Sequence, residues 1–278
     1  MARARVPATI CSVQERLHLP RLWPTGLAGV SGGLGLLLGL FGCGDPSASG
    51  APLAPMPSGS APTQPAPRMP TPGCRAPSGV STSPRTINDV VTLINALPKP
   101  LTLPCFLESL ARPLEIHATN SLFSAQPAQG PRSPRIFIFE ELTTMSIVPA
   151  GSGAPLLEFG EQRPNFRSLK AELTFPVRTQ LASTSPFEGL MADDRITTCA
   201  VCHATELQDP SVSGVRAFVS QSLRALPRDQ VSTQTLQHEL EICDRSVEPD
   251  RCALLDGLFG WGTVTDRQFP VEMATFGG

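Results

Sequence analysis

No charge of either sign dominates this chain. Its 278 residues carry 22 Lys and Arg against 24 Asp and Glu, a formal net charge of −2. No basic stripe stands out, so the electrostatic footprint of nucleic-acid binding is missing and nucleic acid is not an expected partner. An internal repeat is also lacking, which argues against a solenoid or propeller. So is a Gly-rich loop able to cradle phosphate. Strand and helix signals do not follow the βαβ order of a thioredoxin-like domain. Long apolar runs are nearly absent as well, with one exception near the amino terminus.

That exception is Leu22 to Gly42, LWPTGLAGVSGGLGLLLGLFG, which has no charged residue. It follows a basic stretch with Arg3, Arg5, Arg16 and Arg21 against Glu15. A basic start, an apolar run and small residues at its end form an export signal. The end, Leu40-Phe41-Gly42-Cys43, resembles the lipobox of bacterial lipoproteins, with Phe41 where that family has a small residue. The resemblance implies that residues 1–42 are a lipoprotein signal peptide and that Cys43 is lipidated. Gly44, which is not Asp, then favours the outer membrane. An uncleaved anchor is the alternative, although seven glycines and Pro24 make a poor spanning helix. Either way the remainder is exported.

Residues 43–84 form the expected tether. From 45 to 84, Pro, Ser, Ala and Gly fill 28 of 40 positions, 11 of them Pro, and no aromatic residue occurs. Such a segment cannot bury enough apolar surface to offset its chain entropy, and its prolines keep it extended.

Beyond the tether about 194 residues remain, enough for one or two domains with a real core. Thr86 and Asp89 form the pattern of a capping box, and Ile87, Val90, Val91, Ile94 and Leu97 follow at helical spacing until Pro98 stops them. From Leu101 the period changes. Leu114–Ala118, Arg135–Phe139, Leu142–Val148, Leu156–Phe159 and Ser168–Phe175 read as antiparallel strands separated by turn residues. The last of them sends Leu169, Ala171, Leu173 and Phe175 one way and Lys170, Glu172 and Thr174 the other. His117 falls on the polar side of its strand, so an exposed surface position is expected. Val215–Ser220 has strand character. Ser232 opens a predicted helix to Cys243, and Pro249 opens another that ends at Gly260. No known catalytic set occurs in the strand region.

The chemistry-bearing stretch is Cys199-Ala200-Val201-Cys202-His203. Two thiols three residues apart share a face of a helical turn, and the histidine projects near them. Asp193 or Asp194 is placed to cap that turn. C-x-x-C-H is the spacing of c-type haem attachment, and this region resembles c-type cytochromes. The resemblance is strong over five residues and weak over the last ninety. It implies that Cys199 and Cys202 bind haem c covalently and that His203 ligates its iron. The family's second ligand is commonly Met, sometimes His. Downstream candidates are Met273, in Glu-Met-Ala-Thr-Phe, and His238, on the polar side of its predicted helix. Met273 has the better surroundings, resembling the family's Met-Pro-x-Phe with Ala274 in place of Pro. A five-coordinate iron would suggest ligand sensing or peroxidase-type chemistry. Three rivals are weaker. A redox pair lacks its βαβ setting, a zinc site lacks a fourth ligand, and a Cys199–Cys202 disulfide would close a tight ring.

With Cys11 in the signal and Cys43, Cys199 and Cys202 assigned, Cys74, Cys105, Cys243 and Cys252 remain. An even number in an oxidising compartment implies two bridges. Cys243 and Cys252 flank a short turn, so they are the favoured pair, contributing about 2–3 kcal/mol. Cys74 with Cys105 then ties the tether's end to the domain.

The expected fold is α+β, a small antiparallel β-sheet or sandwich over residues 85–180 followed by a mostly helical, cytochrome c-like haem-binding region over 181–278. The expected function is single-electron transfer in the periplasm or at the outer membrane, with a periplasmic or surface redox partner protein. The alternative is a non-enzymatic surface lipoprotein whose β-domain binds a ligand or mediates adhesion.

Overall fold

The computed structural model describes residues 69–121, 126–193, 195–203 and 205–275. The export segment, Cys43 and the first part of the tether lie outside them. Among the described residues no helix is long and apolar enough to cross a membrane.

Helix α1 spans Ile87–Ala96 and begins at the predicted capping box. The Thr86 hydroxyl accepts from the Asp89 N–H at 3.1 Å, and the Asp89 carboxylate accepts from the Thr86 N–H at 2.9 Å. The predicted apolar face, Ile87, Val90, Val91, Ile94 and Leu97, is buried throughout. A second helix, α2 (Leu103–Ser109), follows within the stretch expected to be purely β. Seven residues are too few to display a helical period in sequence.

Strands β1 (Leu114–Thr119), β2 (Arg135–Phe139), β3 (Thr143–Ile147), β4 (Leu156–Arg163) and β5 (Arg167–Thr174) pair antiparallel in succession. Next come α3 (Ser185–Glu188), β6 (Leu207–Gln208), β7 (Phe218–Gln221), β8 (Gln230–Val231), α4 (Thr233–Glu241), α5 (Pro249–Phe259) and β9 (Val264–Asp266). All nine strands join one sheet in the order β6-β7-β5-β4-β3-β2-β1-β8, with β9 parallel to β1. The α+β class is therefore observed, but the sheet is mixed and larger than expected. Residues after 181 supply four of its strands in place of a mostly helical body. Those strands have two to four residues, too short for an alternation to be visible.

One face of the sheet builds the core. Ile116, Ile138, Met145, Leu157, Leu169 and Leu173 point to it and pack with apolar side chains of α1, α2 and α5. Helix α5 approaches α2 so closely that a Cβ on Gly257 would stand 2.7 Å from the Pro104 carbonyl oxygen.

The other face carries His117, Phe137, Ser146, Glu158, Lys170 and Glu172, aligned by the cross-strand register. It does not face open solvent. His117 is 2 % exposed, not a surface residue as its alternation implied. The reason is Phe269, which follows β9 and lays its ring edge-on against His117, Phe137 and Phe139 at 5.0–5.1 Å.

Both expected disulfides are present, Cys74–Cys105 and Cys243–Cys252. The first fastens the end of the tether, where Ala76 and Val80 also pack on the core. The second joins the end of α4 to α5. Beside it, the buried Arg251 bridges Glu239 and Glu248 at 2.6 and 3.1 Å.

Candidate functional site

The motif lies over the polar face of the sheet. Thr197 is extended, and its hydroxyl accepts from the Cys199 N–H at 3.1 Å. A 3-10 turn then runs Thr198–Val201. The Cys202 and His203 N–H groups both donate to the Cys199 carbonyl, at 3.1 and 2.8 Å. Residues three apart eclipse in such a turn, which puts Cys199 and Cys202 on one side. Thr197, not Asp193, is the cap. The Asp193 carboxylate instead accepts from the N–H groups of Arg195 and Ile196, closing the turn before the motif. Asp194 lies outside the described residues.

Two adjoining cavities of about 120 and 100 Å³ separate the motif from the sheet. Arg135, Phe137, Glu158, Cys199, His203 and Leu223 line both. The first is completed by Lys170, Leu190, Phe269 and Met273. The second is completed by Cys202, Glu172 and Arg224. Cys199 and His203 line both cavities, Cys202 only the second and Met273 only the first. The tail that carries Met273 is held by Arg224, whose Nε donates to the Met273 carbonyl at 2.8 Å and whose N–H donates to that of Ala274 at 2.9 Å. His238 is elsewhere, on the outer side of α4, 66 % exposed and 3.5 Å from Glu241.

Burial sets the electrostatics of the site. It pushes the His203 imidazole down to about 4, with the nearby Lys170 charge acting in the same direction. The Lys170 amine falls to about 8, again chiefly through burial. The Cys199 thiol moves up for the same reason. Across the floor, Arg135 pairs with Glu158 at 2.5 Å and donates to the Ser146 hydroxyl at 2.9 Å. The Glu172 carboxyl is raised by burial and by neighbouring Glu158.

Two thiols and an adjacent imidazole are the donor types that a covalently held haem uses. Both thiols are free of disulfide bonds and only partly buried. His203 Nδ1 lies 2.8 Å from the Gln221 carbonyl oxygen. A carbonyl only accepts, so Nδ1 carries the hydrogen and Nε2 keeps its lone pair for a metal. Burial keeps the ring neutral, as ligation requires. The cavities are smaller than the 300–1,000 Å³ typical of enclosed ligand pockets, so much of a porphyrin held here would extend beyond them. A bare metal ion is less well served: among the described residues no three His, Cys, Asp or Glu side chains are grouped to hold one.

Sequence reasoning did not point to Lys170, Glu158, Thr197 or Gln221 as site residues. Alternation places Lys170 and Glu172 on the polar side of their strand without saying what covers it. The available hint was Arg135–Phe139, a run apolar at successive positions, which suits a strand covered on both faces. No protein-family model, curated protein or solved structure matches the chain.

Proposed function

We propose that this protein is an exported lipoprotein that carries one c-type haem and transfers single electrons. The observation that carries the proposal is the His203 ring, fixed through Nδ1 on Gln221 and open at Nε2, beside two free thiols. Cys199 and Cys202 hold the haem by thioethers, His203 ligates the iron, and Met273 is the second ligand. When bound, the haem supplies an iron that cycles between two oxidation states. The chain's residues do the rest. Gln221 fixes the tautomer and orientation of His203. Phe137, Phe269 and Leu223 keep water from the inner side of the site. Arg224 holds the tail that presents Met273. On this proposal the lipid on Cys43 anchors the protein to the outer membrane, and the tether lets the domain meet a periplasmic or surface redox partner.

The test is production of the full chain in a bacterial host that attaches haem outside the cytoplasm. Red protein with a reduced α-band and the added mass of one haem is expected. Colourless protein of unmodified mass overturns the haem assignment and leaves the non-enzymatic surface lipoprotein.

A further inference from the structure

The floor of the larger cavity carries a charge without a counter-ion. Lys170 stands on β5 and lines that cavity with Arg135 and Glu158. Arg135 and Glu158 neutralise each other in an ion pair. Among the described residues the Lys170 amine has no hydrogen bond and no ion pair, and Glu158 and Glu206 attract it only from a distance. Burial lowers its pKa only to about 8, so it is mostly protonated at neutral pH. A charge withdrawn from water costs free energy until an opposite charge joins it. His203 is neutral here, so the lining of this cavity holds one net positive charge.

The surroundings of the amine are those of a binding site. Gly160 lies across from Lys170 in the register of β4 and β5, and its missing side chain leaves space beside the amine. Ser168, 7 % exposed, lines the same space. Its hydroxyl accepts from that of Ser222 at 3.1 Å and has its own hydrogen left to donate. Glu158 Oε1 is buried without a hydrogen-bond partner. Phe137, Leu190 and Phe269 supply the apolar part of the lining.

We propose that this cavity binds a small hydroxy monocarboxylate, held through its carboxylate by Lys170 and Ser168 and through its hydroxyl by Glu158. One negative charge neutralises the lining, and two would overshoot. The volume of about 120 Å³ suits a molecule the size of lactate. A cavity of about 150 Å³ admits benzene, which has as many non-hydrogen atoms. None of Cys199, Cys202, His203 or Met273 takes part, so the site stands apart from the haem assignment.

Calorimetric titration of the full chain with lactate, lactamide and propionate tests the site. Lactate should bind one to one. Lactamide, which lacks the charge, and propionate, which lacks the hydroxyl, should each bind at least tenfold more weakly. Lys170→Met should lose lactate affinity at least tenfold while melting no lower than the wild type, because it removes an unpaired charge. If that variant does not accumulate, the lactamide comparison on the wild type decides the role of the charge. No lactate binding up to about 10 mM, far above the range of specific sites, overturns the site. So does equal binding of lactate and lactamide, or undiminished binding by Lys170→Met. Propionate binding as tightly as lactate overturns the hydroxy-acid class. Colour reports on haem separately: a colourless chain that binds lactate upholds this site alone, and a red chain that does not bind it overturns this site alone.

Discussion

His203 and Gln221 are joined by a hydrogen bond of 2.8 Å from Nδ1 to the backbone carbonyl. Gln221 ends β7, which pairs with β5 at Arg167–Leu169, so the sheet itself fixes the imidazole. The motif supplies the ring, and a distant strand decides which nitrogen is available.

The ring should therefore resist protonation in the haem-free protein. Its folded pKa, about 4, lies below the ordinary 6.5. A lowered value means that stability is full above about 6.5 and declines as pH falls towards 4, because the unfolded chain takes up the proton first. Ring NMR shifts of His203 should stay at their neutral values down to about pH 4. A midpoint near 6.5 would contradict the burial.

Met273 and His238 should differ as ligands. Met273 lines the cavity with His203, whereas His238 is 66 % exposed on α4. In the haem-loaded protein Met273→Ala should change the absorption spectrum, and His238→Ala should leave it unchanged. The reverse pattern would remove Met273 from the site.

Gly257 should not tolerate a methyl group. A Cβ there would stand 2.7 Å from the Pro104 carbonyl oxygen and 3.1 Å from the Pro104 Cα. In an exposed helix interior Ala stabilises relative to Gly by up to about 1 kcal/mol. Here overpacking between α2 and α5 should prevail, with a net loss of about 1–3 kcal/mol. Urea denaturation measures it, and a stabilised Gly257→Ala would show that the helices separate freely.

Glu140 should make stability fall with rising pH. Burial lifts its carboxyl from 4.5 to about 7, against the opposing attraction of Arg112. A raised folded value means that its contribution is full below about 4.5 and is lost as pH rises through 7. Glu140→Gln should flatten the decline in melting temperature between about pH 5 and pH 8. An equally steep decline in the variant would assign the effect to other groups.

Much of the chain was legible locally. The Thr86 cap, the strands near 114, 135, 142, 156 and 168, and the helix from Pro249 to Phe259 all lie where periodicity and capping place them. These elements are long enough to repeat their pattern, or begin with a residue whose side chain satisfies a free N–H. The short strands β6 to β9 have no such pattern. They exist because longer neighbours offer them unpaired backbone groups. His117 departs from its expected exposed position on the same ground, since alternation tells which residues share a face but not what covers it.

The sequence by itself determined the thiol spacing and the adjacent histidine, and it favoured one pairing of the other four cysteines. Each of these follows from covalent connectivity over a few residues or from counting. Tertiary structure alone decided that the motif rests on the polar face of the sheet, that Gln221 holds the His203 ring, and that Met273 rather than His238 reaches the cavity. Those relationships join residues far apart in the chain. They are fixed by sheet register and by the closing of Phe269 and the tail over that face, which no local pattern encodes.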